Sequence, residues 1–294
     1  MNILKIITFC SLILAPVLVH AIDGGKIETM QMPAWLERNG VKRALTPGDI
    51  LNSGDIVSTG KSARLLIRLE EGSQIKLGEN GVLALNIIQP PKETSGVFAG
   101  LLNVITGAFR FTTSQIGNTR KRDVKIHIGA VTAGIRGTDI WGRSSDEKDI
   151  LCLIEGKITA QRQGETEFIM KDALSFYIAP KDKPALPVSP VPKEKLAKWA
   201  KQTETQSGHG VLTADGRWTV NVMSLKSFTS ADKLQKTLNT AGYATTLQKI
   251  QIKDSTWHRI SIKNFATKAD ARSFTAAINH QYGIHNPWII KSGM

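Results

Sequence analysis

Cysteine is scarce in this chain, which has only Cys10 and Cys152 among its 294 residues. Two cysteines are too few for the disulfide scaffold of a small secreted domain or for a zinc ribbon, both of which use more. Cys152 lies in the apolar run 150–154, and a thiol in such a strand-like run is expected to be a buried core residue.

Acidic residues are also few, with 25 Asp and Glu against 38 Lys and Arg, so the formal net charge is +13. This balance favours an anionic partner or surface and says nothing about the fold. Residues 215–294 carry 11 basic and 4 acidic side chains, whereas residues 22–180 carry 20 and 18. The basic surface therefore belongs mainly to the C-terminal part of the chain.

Long apolar runs are missing everywhere except at the N-terminus. Residues 1–21 contain Lys5, an apolar run over 6–19 and the final tripeptide Val-His-Ala, a pattern typical of a cleaved secretory signal. The run is shorter than the roughly 20 residues that a membrane-spanning helix needs. We therefore expect an exported, periplasmic chain without a membrane span, cleaved after Ala21.

Catalytic signatures are absent as well. The six histidines show no metal-ligand spacing, and no signature of a serine nucleophile or of paired carboxylates emerges. The segment 59–62, Thr-Gly-Lys-Ser, lacks the spacing of a phosphate-binding loop and is interpreted as a turn. We expect a non-enzymatic protein with no metal and no cofactor.

Composition divides the remainder into two domains and a linker. We expect a β-rich domain over 22–180, a proline-rich linker with a short helix over 181–214 and a second domain over 215–294. Four closely spaced prolines within 184–192 favour an extended spacer. The linker helix is expected at about 193–203.

Short alternating runs predict that the first domain is all-β. Examples are 63–69, 73–77 and 124–128, each bounded by turn residues, and together they indicate a sandwich, a barrel or a β-helix-like roll. Asp49 and Asp55 each follow a glycine and are expected to form turns by bonding to local backbone N–H groups.

Four motifs carry a family resemblance in this domain: Gly-Asp-Ile-Val at 54–57, Glu-Gly-Ser at 71–73, Ile-Arg-Gly-Thr at 135–138 and Glu-Gly-Lys-Ile at 155–158. Over 45–178 the chain resembles the FecR periplasmic domain. The resemblance implies a β-rich extracytoplasmic fold that mediates interaction or sensing. The sigma-regulating role does not carry over, since the cytoplasmic anti-sigma segment and membrane helix of those regulators are not found here.

Arg136, within the most specific of these motifs, lies between Gly134 and Gly137 after an apolar strand. We expect it to be structural, bonding backbone carbonyls or a carboxylate in the core. Contact with a ligand is the alternative.

The second domain has the predicted element order β-α-β-β-α-β, the ferredoxin-like arrangement, which places both helices on one face of the sheet. The predicted strands cover 218–223, 243–252, 256–262 and 288–291, and the predicted helices end near 241 and 281. Strand alternation directs Val220, Val222, Ile260 and Ile262 toward the helices. The side chains expected on the open face are Thr219, Asn221, Met223, Trp257, Arg259 and Ser261.

This domain resembles the SPOR domain over 217–292, through the segment 218–224 (Trp-Thr-Val-Asn-Val-Met-Ser) and the segment 257–260 (Trp-His-Arg-Ile). The resemblance implies binding to peptidoglycan glycan strands that lack stem peptides and are enriched at division septa. It places the ligand residues at Asn221, Ser224, Trp257 and Arg259, with Ile289 as a weaker candidate. Asn221 stands where the family usually has Gln, and Ser227 is an alternative to Ser224.

Three classes of function remain to be distinguished. The leading hypothesis is a non-catalytic periplasmic protein that binds peptidoglycan glycan and recruits or senses an envelope or divisome protein through its FecR-like domain. A basic βαββαβ domain with an aromatic residue on its face also describes an RNA-recognition module, although export would remove that ligand. A FecR-type regulator of envelope signalling is the third reading.

The signal sequence leads to the first testable prediction. We expect N-terminal sequencing of the exported protein to begin at Ile22, directly after the Val-His-Ala tripeptide. An exported protein that begins at Met1 would contradict it.

Overall fold

The computed structural model describes residues 23–88, 98–113 and 122–292. The expected signal peptide and Cys10 lie outside the described residues. Among the helices that are described, none is long and apolar enough to cross a membrane.

The N-terminal part is built from strands, as predicted. They are β1 (Asp23–Gln31), β2 (Ala34–Arg38), β3 (Val41–Ala44), β4 (Ile50–Asn52), β5 (Ile56–Thr59), β6 (Arg64–Leu69), β7 (Gln74–Leu77), β8 (Val82–Ile88), β9 (Phe98–Thr112), β10 (Arg122–Ile128), β11 (Val131–Ile135), β12 (Asp139–Ser144), β13 (Lys148–Glu155), β14 (Ile158–Arg162), β15 (Phe168–Met170) and β16 (Ser175–Pro180).

The long strand β9 joins two sheets. Its first half pairs with β8 and β10, and its second half pairs with β7 and β12. Gly107 lies between the two halves at φ +92°, and a side chain there would meet the Gly81 backbone at 2.5 Å. The apolar residues that alternate along β6 and β9, including Leu65, Ile67 and Phe109, are buried in the core of this domain.

Two aspartates at turns of this domain have paired carboxylates. The Asp55 side chain is 1% exposed, and its carboxylate accepts hydrogen bonds from Arg38 Nε at 2.8 Å, Arg38 Nη2 at 2.7 Å and the Asn52 N–H at 2.7 Å. Asp49 likewise accepts from the Thr46 N–H. The turn roles expected for both aspartates are confirmed. Cys152 is fully buried, also as expected. Burial, and to a smaller extent the negative charge of Asp139, raises the pKa of its thiol to about 12.

The proline-rich segment is extended but does not stand apart as a spacer. Strand β17 (Leu186–Pro190) pairs antiparallel with β16, at a sheet edge where proline's missing N–H is tolerated. Helix α1 (Lys193–Thr203) follows at the expected place and packs on the N-terminal strands. Its Trp199 ring stacks on Trp141 with 4.6 Å between centroids, and Glu204 binds Lys76 Nζ at 2.6 Å.

The C-terminal part has the predicted element order. After the short strand β18 (Val211–Thr213) come β19 (Trp218–Leu225), α2 (Phe228–Thr240), β20 (Thr246–Ile252), β21 (Ser255–Phe265), α3 (Lys268–Tyr282) and β22 (Trp288–Lys291). The strands lie in the order β20-β21-β19-β22, and all neighbours are antiparallel. Buried residues of both helices, such as Leu238 and Phe274, share one core with Val220 and Ile260.

The two parts of the chain contact each other through several polar bonds. Strand β18 pairs antiparallel with β1. Gln31 Nε2 donates to the His209 carbonyl at 2.8 Å, and Trp35 Nε1 donates to the Thr240 carbonyl at 2.9 Å. Asp270, fully buried at the start of α3, accepts from the Gly208 and Val211 N–H groups. The N-terminal domain thereby contacts the helical side of the C-terminal domain.

The structural role expected for Arg136 is wrong. Arg136 lies in the exposed turn between β11 and β12, and no described residue bonds to its side chain. Gly137, at φ +85°, reverses the chain there. The buried polar residue of this motif is Thr138, whose N–H donates to Thr113 Oγ1 at 2.9 Å.

We expect Arg136→Ala to change the free energy of unfolding by less than about 0.5 kcal/mol, because an exposed side chain without a partner contributes little to stability. Asp55→Ala, the comparison variant, should lower it by about 2 kcal/mol, since it removes the charge-assisted hydrogen bonds that the buried carboxylate accepts from Arg38 and the Asn52 N–H. Urea denaturation of both variants measures the difference. An Arg136→Ala variant as unstable as Asp55→Ala would restore the structural role.

Candidate functional site

The open face of the C-terminal sheet gathers four of the five predicted site residues. Asn221 in β19 lies opposite Ser261 in β21, and Ser224 lies opposite Arg259. Residues directly opposite each other in an antiparallel pair point to the same face. Trp257 lies two residues before Arg259 on the same strand and therefore shares that face.

A β-bulge makes this arrangement possible. The register between β19 and β21 shifts between Asn221 and Met223, so that Met223 lies opposite Ile260 and packs against the core. Strict alternation predicted Met223 on the open face, and this prediction is wrong because the bulge inserts one extra residue. The same shift turns Ser224 outward, where uninterrupted alternation would have directed it toward the helices.

The structure separates the two candidate serines. Arg259 Nε donates to Ser224 Oγ at 3.2 Å across the open face. Ser227 instead precedes α2 as its N-cap, and its Oγ accepts from the Ser230 N–H at 3.2 Å. Ser224, not Ser227, is therefore the serine beside Arg259.

Asn221 lies at the base of this face with 2% of its surface exposed. Its Oδ1 accepts from Ser261 Oγ at 2.7 Å, while its Nδ2 is buried and has no hydrogen-bond partner among the described residues. A buried donor left unpaired costs about 1–3 kcal/mol. Asn221 Nδ2 is thus a buried donor whose hydrogen-bonding capacity the described residues leave unused.

Ile289 does not join the other four residues. It lies opposite Val220 and packs against the helical core. Its neighbour Trp288 lies opposite Asn221 on the open face and is 37% exposed. The sequence reasoning missed Trp288, although the alternation of β22 with an inward Ile289 could have indicated it.

Each of two indole rings in this site lies near a different cation. The Arg259 guanidinium lies 5.0 Å from the centre of the Trp288 ring, and Lys226 Nζ lies 5.4 Å from that of Trp257. We define Asn221, Ser224, Trp257, Arg259 and Trp288 as the open-face cluster. Indoles can stack on an apolar ring face, while a guanidinium pairs with carboxylates in bidentate geometry. The described residues contain no group of His, Cys, Asp or Glu that could hold a metal ion.

Family comparisons agree with this division of the chain. The model of the FecR protein family matches residues 55–159, and the model of the SPOR domain matches residues 214–291. The expected architecture is confirmed: a FecR region is followed by a C-terminal SPOR domain.

The other comparisons add little. Two crystal structures of a candidate anti-sigma factor from Parabacteroides distasonis are similar to this chain at 12% identity and a TM-score of 0.39. Each covers 81% of this chain and 99% of its own. No curated protein matches the chain significantly.

The two serines differ in their expected effect on stability. We expect Ser227→Ala to lower the free energy of unfolding by about 1 kcal/mol, because α2 loses its N-cap. Ser224→Ala, which removes one hydrogen bond on the sheet surface, should change it by less than about 0.5 kcal/mol. Chemical denaturation tests both, and a larger loss in Ser224→Ala would reverse the assignment.

Proposed function

We propose that this protein is an exported, non-catalytic peptidoglycan-binding protein whose open-face cluster docks on glycan strands. SPOR domains are peptidoglycan-binding modules, and FecR domains function in envelope signalling, which supports a non-catalytic role. The observation that carries the proposal is the Arg259 guanidinium against the Trp288 ring, on the sheet face that also holds Trp257 and the Asn221 Nδ2 donor, which has no partner among the described residues.

Each group of the cluster has a counterpart in an aminosugar strand. Trp257 and Trp288 would stack on sugar rings, as amphipathic aromatic surfaces do. Ser224 and Arg259 would hydrogen-bond to hydroxyl, acetamido or lactyl oxygens. Trp288 lies directly opposite Asn221 in the sheet. A ligand that displaces Trp288 and Arg259 would give the Asn221 Nδ2 group the acceptor that it lacks.

The preference for denuded strands has a chemical reason in this proposal. Where a stem peptide is attached, the lactyl group ends in a neutral amide. Where the peptide has been removed, the group ends in a carboxylate, which the Arg259 guanidinium would bind more strongly. The C-terminal domain also carries 11 basic and 4 acidic side chains, which favours approach to an anionic wall.

The remaining parts of the proposal concern place and organisation. We infer a periplasmic location after cleavage at Ala21 and enrichment at septa. The FecR region, within 22–180, would contact an envelope or divisome protein. The segment 181–214 connects it to the glycan-binding unit 215–294, for which we propose the ferredoxin-like topology.

We expect Trp257→Ala to weaken binding to amidase-treated sacculi roughly fivefold, since it removes a stacking surface worth about 1 kcal/mol. Pelleting of the purified chain with sacculi, with and without amidase treatment, measures the loss. The loss should persist at high salt, because stacking is not screened as charge pairing is.

Two control variants change the helical side instead. Phe228 is an aromatic residue 58% exposed in α2, and Lys233 is an exposed cation on the same helix. Phe228→Ala and Lys233→Glu should bind sacculi as the unmodified chain does. If Lys233→Glu abolishes binding while Trp257→Ala binds normally, the ligand is bound by the helical side and the site assignment fails.

A further inference from the structure

A cleft of about 1150 Å³ opens between the two domains, on the opposite side of the C-terminal domain from the open-face cluster. Residues of the N-terminal domain, including Trp35 and Arg64, form one wall. The other comes from α3 and the segment that precedes β18, including Tyr282 and His209. The volume is ample for a small ligand, for which sites usually measure roughly 300–1000 Å³.

Two cations and one carboxylate line this cleft. Lys61 and Arg64 belong to one wall, and the imidazoles of His209 and His280 line the other. The carboxylate that lines it belongs to Glu79, whose Oε2 accepts from the Ser62 N–H at 2.7 Å. The cleft therefore offers several donors for anions and one acceptor for a cation.

Among the described residues, no carboxylate forms an ion pair with Arg64. Its Nη1 donates to the Ala63 carbonyl at 2.7 Å, but its Nε is buried with no hydrogen-bond partner among the described residues. Burial lowers the pKa of this guanidinium, and the negative charge of Glu79 opposes this shift. A desolvated guanidinium with an unused donor is costly unless a ligand carboxylate pairs with it.

The aromatic wall of the cleft is held in place. Tyr243 is 7% exposed and donates its O–H to Gln281 Oε1 at 2.8 Å, and its ring packs edge-on against Tyr282 at 5.7 Å. On the other side, Trp35 is anchored by its bond to the Thr240 carbonyl. These fixed rings provide apolar surface for the body of a ligand whose charged ends meet Arg64 and Glu79.

We propose that this cleft binds a short zwitterionic peptide, the chemical class of the stem peptide that an amidase releases from the wall. The choice of source rests on the proposed function. Hydrolysis of the lactyl–peptide amide with one water yields two products together: a glycan with a free lactyl carboxylate and a peptide with a free amine. The open-face cluster and the cleft would then bind the two products of one reaction.

The test is calorimetric titration of the purified chain with the tetrapeptide L-Ala-D-Glu-diaminopimelate-D-Ala. We expect Arg64→Gln to weaken binding at least about tenfold, because a charge-assisted hydrogen bond is lost. Arg68→Gln is the matched control: it makes the same change on the same strand, but Arg68 pairs with Glu28 and does not line the cleft. It should leave the affinity unchanged.

Further variants distinguish a failure of the cleft from a failure of the open-face cluster. If the Arg64→Gln variant does not fold, Lys61→Gln replaces it in the test. Lys61 is an exposed side chain of the same cleft, and its substitution should weaken binding of the tetrapeptide. Binding to amidase-treated sacculi should survive Arg64→Gln, and tetrapeptide binding should survive Trp257→Ala. The failure of one site is thus distinguishable from the failure of the other. No heat of binding from the unmodified chain, or an equal loss in Arg68→Gln, would overturn the proposal.

Discussion

The bulge in β19 between Asn221 and Met223 is the constraint on which the candidate glycan site depends. Uninterrupted alternation would place Asn221 and Met223 on the open face and turn Ser224 toward the helices. One extra residue reverses this, so that Met223 packs in the core and Ser224 Oγ accepts from Arg259 Nε. Bulges commonly re-aim a side chain next to a functional site. Here the bulge keeps a serine and a guanidinium side by side on one surface.

Contact between the domains determines which side of the C-terminal sheet can meet a large ligand. The N-terminal domain contacts the C-terminal domain through the pairing of β1 with β18 and through Trp35 at the end of α2. Gly242, at φ +85°, lies against this ring, and a side chain there would meet Trp35 at 2.7 Å. The open face is turned the other way and suits a polymer, whereas the cleft on the helical side suits a small molecule.

Much of the architecture was predictable from local patterns. The element order of the C-terminal domain, the strands of the N-terminal domain and the position of α1 follow from periodicity and turn residues. The roles of Asp49 and Asp55 followed from turn chemistry. Arg136 shows where this reasoning stops, because two flanking glycines are compatible with either a buried or an exposed side chain. The residue lies in an exposed turn, a placement that depends on the strands around it.

The sequence by itself determined the division into a FecR region and a SPOR domain and the placement of Trp257 and Arg259 on one face. Both follow from short-range motifs and from the two-residue period of a strand. Only the tertiary structure placed Ser224 rather than Ser227 beside Arg259, placed Trp288 rather than Ile289 on the open face and formed the cleft around Arg64. These outcomes depend on which distant strands pair and in what register. A one-residue shift in that register exchanges the two faces of a strand.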